Sequence, residues 1–459
     1  MSGSVLKRIS QWDALAIAAG VLLAFSLFLG GASRAHALPL ALVELASLPV
    51  LGLAFIRLIR SGVWKSHRFL LALAGAAVAL PLLQLMPLPY SLWASLPGRE
   101  GAVQALELAG VQPAWLPISL APDQTWQAFL ALMPPVAMLL AALTLDRPVV
   151  HRLVWGVLAF TLVSIVLGTL QIISDSTTFY PWATTNHGSL VGFFANRNHM
   201  ATLCLIALPF AAALTGSGMN SRAPDATLRV WIGLLVIGLI IVAIGAIRSR
   251  FGVLAIVPAM IGCLLVAWVS SGRGRPSLPV LGLALGAALG LGVIGLFALG
   301  PVLDRFDTDM TTEVRLENWP IVARAAQDFL PLGSGLGSFD PVYRSYEPVE
   351  TLKAAYFNQA HNDYLQMWLT TGWMGIAVII AAFVWWGRRS LSAWRAGVHL
   401  DRDLQRAASV ALLLVAVHSA ADYPLRTEAI AVIFALACAI LDGAARSSRL
   451  ASPRPSRAS

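Results

Sequence analysis

The chain has 459 residues, of which 58% are hydrophobic and only 12% charged. Soluble domains carry roughly 25% charged residues, so this composition cannot cover a water-facing surface and excludes an ordinary soluble enzyme. The formal charge of +9 is spread between apolar runs instead of gathering on one soluble face, which argues against a nucleic-acid partner.

A membrane-crossing helix needs about 20 apolar residues, because the hydrocarbon layer is about 30 Å thick. The first apolar stretch, Trp12 to Gly31, is too long for the core of a cleaved signal and more such stretches follow, so it is expected to be a first span. Spans are expected at roughly 12–31, 39–59, 69–86, 126–144, 153–173, 198–215, 230–247, 251–270, 278–300, 370–386, 407–421 and 427–444. The fold class is therefore all-α: a polytopic membrane helix bundle of about twelve transmembrane helices. Cys204, Cys263 and Cys438 each lie inside an apolar run, where they are small apolar residues and neither a disulfide framework nor a metal site.

Charge orients this layout. With the N-terminus inside, 21 of the 32 Lys and Arg residues fall in inner segments and 11 in outer ones. The excess supports cytoplasmic N- and C-termini and membrane lipids as surroundings. The outer cations run against that bias and need another reason. Two outer segments are long. The first, near 87–125, carries Trp93 and Trp115, with Trp126 just beyond, residues suited to an interface.

The second, about 301–369, lies between spans nine and ten and is the largest polar piece. It should hold a helix near Thr312–Phe329, with Thr311 or Thr312 as its cap and Pro320 as a kink or its true start. Another helix begins near Ala360 and runs into the tenth span. Between them, Pro331 to Gly337 is expected to be a flexible turn. The chain divides into an N-terminal part, 1–190, with the first five spans, a second part, 191–445, with the remaining spans and the long loop, and a Ser/Pro/Arg tail, 446–459, expected to be disordered and cytoplasmic.

Several polar groups gather on the outer side. Arg248-Ser249-Arg250 separates two apolar runs; the arginines either snorkel to headgroups or face a cavity as an anion site, since the planar guanidinium matches phosphate oxygens in pairs. Arg315 and Trp319 share one face of the loop helix, which is equally what a solvated amphipathic helix would show.

His361-Asn362-Asp363-Tyr364 stands at a helix start, where free amides favour an anion. A neutral imidazole there accepts a proton from a sugar hydroxyl near neutral pH, although a lone histidine is more often a structural hydrogen-bonder. Asn196-Arg197-Asn198-His199 enters the sixth span, and either caps it or lines a site. His418 and Asp422 bracket the outer end of the eleventh span; an acid at such a rim partners a cation, an outer arginine or His361. The triplet Gly333, Gly335 and Gly337 lacks the strand-then-helix frame of a phosphate loop. No metal-ligating motif is present in the sequence.

The order of these motifs is informative. Gly192-Phe193-Phe194-Ala195-Asn196-Arg197-Asn198-His199 precedes one span and Ser249-Arg250 starts another. Arg315 with Trp319 lies in the large outer loop, followed by Pro331 to Phe339 and then His361-Asn362-Asp363-Tyr364-Leu365. His418 to Pro424 closes the series. Over about 190–425 this pattern resembles the O-antigen ligase and Wzy-type polymerase superfamily of bacterial envelopes; the N-terminal third agrees in topology alone.

The resemblance implies inverting, metal-independent glycosyl transfer with no cofactor, from a glycan on undecaprenyl pyrophosphate, at the periplasmic face of the inner membrane. It implies that Arg250 and Arg315 meet the pyrophosphate and that His361 is the essential histidine. Asp422 would orient or counterbalance these groups, and Arg248, Asn196, Arg197, Trp319, Asn362 and Tyr364 would bind substrate. Where relatives often carry an acid after the histidine motif, this chain has Thr370-Thr371-Gly372-Trp373, which bears on the acceptor side.

The first expectation is thus a ligase that transfers to lipid A–core. A polymerase extending another lipid-linked glycan, or an oligosaccharyltransferase acting on a protein hydroxyl, would use the same motifs. From a different class, a polysaccharide transporter or flippase would show repeat symmetry and midplane charges, and the sequence has neither.

Overall fold

The computed structural model describes residues 13–33, 35–174, 177–183, 186–219, 226–272, 292, 310–352 and 357–443. Most of them are helical. In chain order the helices are α1 (Ala14–Leu29), α2 (Ala37–Ser61), α3 (Arg68–Gln84), α4 (Tyr90–Ala94), α5 (Glu100–Leu108), α6 (Pro122–Leu130), α7 (Met133–Thr144) and α8 (Arg147–Ile173). There follow α9 (Arg197–Met219), α10 (Ala226–Ile247), α11 (Arg250–Ser270), α12 (Met310–Asp328), α13 (Phe339–Tyr346), α14 (Asp363–Arg395), α15 (Leu400–His418) and α16 (Glu428–Asp442).

Among the described residues, seven helical stretches are long and apolar enough to cross a membrane: α2, α6 with α7, α8, α9, α10, α11 and α14. α1 and α3 are shorter apolar helices. α15 and α16 stand where the last two spans are expected, while the expected ninth span, 278–300, and the tail, 446–459, lie outside the described residues.

α9 is the buried axis of the second part and packs against α10, α11 and α15; α7 lies between α2 and α16. Buried small residues such as Ala201, Ala207, Ala211 and Ala212 let its neighbours approach closely. Prolines 49, 81, 209 and 258 sit inside helices, as is tolerated where neighbouring helices enclose the freed backbone groups.

At one end of the bundle Asp442 ties three elements together. Its Oδ2 meets His67 Nδ1 at 2.5 Å, and its Oδ1 accepts from Trp385 Nε1 at 2.8 Å and pairs with Arg389. Asp401 of α15 meets Arg147 and His151 of α8 at the start of both helices. These are segments that the charge pattern groups on one side.

The other end carries the two long loops, with four departures from expectation. A two-stranded antiparallel ribbon, β1 (Pro87–Pro89) with β2 (Trp115–Pro117), interrupts the all-α pattern; three-residue strands leave no periodicity to detect. Trp93 is buried instead of interfacial, its Nε1 donating to Pro117 O at 2.9 Å. Arg99 stacks between Trp93 and Phe329, 5.4 and 5.7 Å from the ring centres, and so fastens the first loop to the second. Burial lowers its guanidinium to about 10, which leaves it charged at neutral pH. One outer cation thereby has a structural reason. In the second loop, α12 starts at Met310, so Thr311 and Thr312 lie inside its first turn, and it runs through Pro320.

The fourth departure is the glycine turn, which is a packed joint. Ser334 and Ser338 are fully buried. Ser334 N donates to Leu369 O at 3.0 Å, Gly335 N to Thr370 O at 2.9 Å, and Leu336 N to Gln84 Oε1 at 2.8 Å. Opposite it α14 breaks at Gly372, whose φ of 55° and ψ of −143° suit glycine alone. A β-carbon there would stand 2.1 Å from Pro331 O. Gly372→Ala is expected to cost at least about 1–3 kcal/mol from backbone strain alone, read as a lower thermal unfolding midpoint in detergent.

Candidate active site

The site is organised around the start of α14. Asn362 is the N-cap; its Oδ1 accepts from Leu365 N at 3.1 Å, so the helix begins at Asp363 and His361 stays outside the first turn. His361 has a φ of 48°, uncommon for a residue with a β-carbon. Its neighbours hold it there. Trp319 Nε1 donates to Ala360 O at 2.8 Å, Ala360 N donates to Gln366 Oε1 at 3.0 Å, and Asp363 N donates to Ser419 O at 2.7 Å.

This backbone turns the imidazole onto Asp422. His361 Nδ1 lies 3.1 Å from Asp422 Oδ1; the histidine is 17% exposed and the acid 1%. Asp422 also accepts from its neighbour's amide, Tyr423 N, at 3.0 Å, and Asn198 Nδ2 donates to its Oδ2 at 2.5 Å. Asn198 Oδ1 in turn accepts from Ser249 Oγ at 2.9 Å, and Ser249 caps α11 by accepting from Gly252 N at 3.2 Å. One hydrogen-bonded chain therefore links the starts of α14, α9 and α11 with the turn between α15 and α16. His361, Asn198, Ser249 and Asp422 come from segments up to 224 residues apart.

The other sequence candidates take their places around this chain. Asn196 caps α9, its Oδ1 accepting from Asn198 N at 2.8 Å, and Arg197 begins that helix. Arg250 is the first residue of α11 and is half-buried; Arg248, with a φ of 55°, is exposed. Arg315 is on α12, the helix that Trp319 bonds beside His361, and its side chain lies outside the described residues. Tyr364 Oη donates to Ala416 O at 2.6 Å. His418 is wholly buried, stacked 3.8 Å from the Phe251 ring and bonded to Thr202, which makes it part of the support.

A cavity of about 2110 Å³ opens here. Its lining joins polar residues, among them His361, Asn196, Arg197, His199, Tyr364, Tyr423 and Arg426, to apolar ones such as Leu73, Ile379, Phe383 and Phe434. Asp422, Arg248, Arg250, Trp319 and Asn362 are not in its lining. Asp422 stands behind this lining, bonded to His361, Asn198 and Tyr423, which belong to it. Among the described residues, no group of three or more His, Cys, Asp or Glu stands in metal-ligating reach.

Sequence reasoning passed over Asn198 as a separate partner of Asp422, and over Ser249, Gln366 and Arg426. Asn198 and Ser249 sat inside motifs whose arginines drew attention, and their neutral side chains gain meaning only when α9 and α11 are set side by side. Gln366 lies one turn inside an apolar helix and gave no signal. Arg426 was visible as an outer cation running against the charge bias.

No curated protein matches the chain. The matched family stretch takes in Arg248, Arg250, Arg315, Trp319 and His361 to Tyr364, and stops short of Asn198 and Asp422 on either side. Residues 234–380 match the family model Wzy_C, described as O-antigen ligase, which is the superfamily that the motif order resembles.

Proposed function

We propose that the chain is an envelope glycosyltransferase that moves a glycan from undecaprenyl pyrophosphate to lipid A–core, working at the periplasmic face of the bacterial inner membrane. The match of residues 234–380 to the O-antigen ligase family model supports a function of ligase or polymerase type. The observation that supports the finer reading is the pairing of His361 with a buried carboxylate at a cavity whose lining joins polar and apolar residues. Such a cavity suits a donor with a sugar–phosphate head and an isoprenoid tail. The excess of inner cations supports the orientation with both termini cytoplasmic.

A carboxylate only accepts hydrogen bonds. The proton of a neutral His361 therefore sits on Nδ1, facing Asp422, and the Nε2 lone pair is left for substrate. In the proposed reaction that lone pair takes the proton of the acceptor hydroxyl. The hydroxyl oxygen attacks the anomeric carbon from the face opposite the pyrophosphate, which inverts the centre. The bond from that carbon to the pyrophosphate oxygen breaks, and its electron pair leaves with undecaprenyl pyrophosphate. Arg250 and Arg315 are assigned to the charge that grows on this leaving group; fixed guanidinium groups stabilise it without a metal.

The test is a gel profile of surface glycan from a strain lacking this gene, with and without the wild-type copy. Bare lipid A–core is the expected result. Core carrying a single repeat would replace ligase by polymerase, and an unchanged profile would overturn the lipid A–core acceptor.

A further inference from the structure

Of the arginines assigned to the leaving group, Arg250 does not line the cavity and the Arg315 side chain lies outside the described residues, so the cations in the cavity wall itself are a separate question. Among the described residues, Arg197 and Arg426 are the Lys or Arg residues that line it. Arg426 sits on the short turn Pro424–Arg426, four residues past Asp422. Its Nε donates to Asp363 Oδ1 at 2.9 Å, and the two side chains are only 17% and 13% exposed. Asp363 is two residues past His361, and its Oδ2 is without a hydrogen-bond partner among the described residues. The pair therefore bridges the two backbone segments that hold the His361–Asp422 dyad.

A half-buried guanidinium beside an apolar wall is costly, and an ion pair formed only for stability is poorly favoured over apolar packing. The bond from Asp363 engages Nε alone. Both Nη groups are without a protein partner among the described residues, on a side chain that lines the cavity. Two adjacent N–H groups in a fixed plane match two oxygens of a phosphate. We propose that Arg426 is a further donor-binding residue that holds the diphosphate of the lipid-linked glycan, with Asp363 as its positioning residue. The proposal rests on the reading of the cavity as the donor site. It sets the diphosphate beside His361, where the anomeric carbon must lie for the acceptor hydroxyl to be deprotonated as it attacks.

The experiment uses the full chain in neutral phosphatidylcholine nanodiscs and compares the affinity for undecaprenyl pyrophosphate with that for undecaprenol. The wild type should prefer the pyrophosphate. Arg426→Gln should cut that preference by about tenfold or more, since a charge-assisted hydrogen bond contributes about 1.5–3 kcal/mol. Arg426→Lys, which keeps the charge and loses the fork, should fall between them, and it serves if the Gln variant does not fold. Asp363→Asn should weaken pyrophosphate binding less than Arg426→Gln and leave undecaprenol unchanged.

A preference kept in both Arg426 variants would overturn this assignment and leave the donor site standing. A wild type with no preference would overturn the donor reading and the assignment together. Loss of phosphatidylglycerol binding in Arg426→Gln, with the pyrophosphate preference intact, would make Arg426 a headgroup contact and overturn its donor role.

Discussion

His361→Gln is expected to lower glycan transfer by about 10²–10⁴-fold, the range that positioned acid–base catalysis contributes, while the protein accumulates in the membrane at the wild-type level. The substitution keeps a polar side chain of similar reach but removes the basic nitrogen. The backbone around it does not depend on the imidazole: Asn362 caps α14, Gln366 holds Ala360, and Trp319 holds the Ala360 carbonyl. Loss of transfer without loss of protein therefore separates chemistry from folding. Measuring transfer in membranes charged with lipid-linked donor, normalised to protein, is the direct check. Transfer within threefold of wild type would remove His361 as the base.

Asp422 carries the same argument one bond further. Asp422→Asn keeps the shape, yet an amide offers Nδ1–H a poorer acceptor and presents a donor of its own to Asn198 or His361. The tautomer with Nε2 free is then no longer enforced, and transfer should fall although Asp422 itself never lines the cavity. Parallel loss in both variants, with no further loss in the double variant, is the signature of one coupled unit.

How much of this was legible beforehand follows from what each signal depends on. Helix positions were readable because a lipid-facing helix must be apolar over a fixed length, and α1, α2, α3, α8, α9, α10 and α11 lie on the expected segments. The break at Gly372 was not readable, since glycine is ordinary in membrane helices and the requirement comes from Pro331 packing against it. The glycine turn was misjudged as flexible for the same reason: its partners Gln84, Leu369 and Thr370 come from other elements.

At the site, the pairing of His361 with Asp422 was legible, since the histidine was one of the two partners foreseen for the acid. The chain through Asn198 to Ser249 was hidden because neutral hydrogen-bonding residues carry no sign of their own, and their partners lie 224 and 51 residues away. The arginines were legible as a class but not as a set. Charge bias singled out the outer cations together, and packing then sorted them, with Arg99 pinned between rings and Arg426 left facing the cavity.

Arg315→Ala is expected to cut transfer by about 10²–10³-fold, the cost of deleting one fixed donor to a developing anion. The departing pyrophosphate gains negative charge as the sugar bond breaks, and the growing charge is greatest in the transition state. A guanidinium aimed there lowers the barrier more than it tightens donor binding, so kcat should fall further than KM rises. What supports the assignment is that Trp319, on the same helix as Arg315, bonds the residue next to His361. Arg315→Lys separates charge from geometry: partial activity would mean that charge suffices, and activity as low as in Arg315→Ala would mean that the planar fork is needed. Full activity in Arg315→Ala would end its pyrophosphate role and shift the burden of the leaving group to the arginines that line the cavity, Arg197 and Arg426. The two assignments are thus separable, since Arg426 is read through donor affinity and Arg315 through the rate of bond breaking.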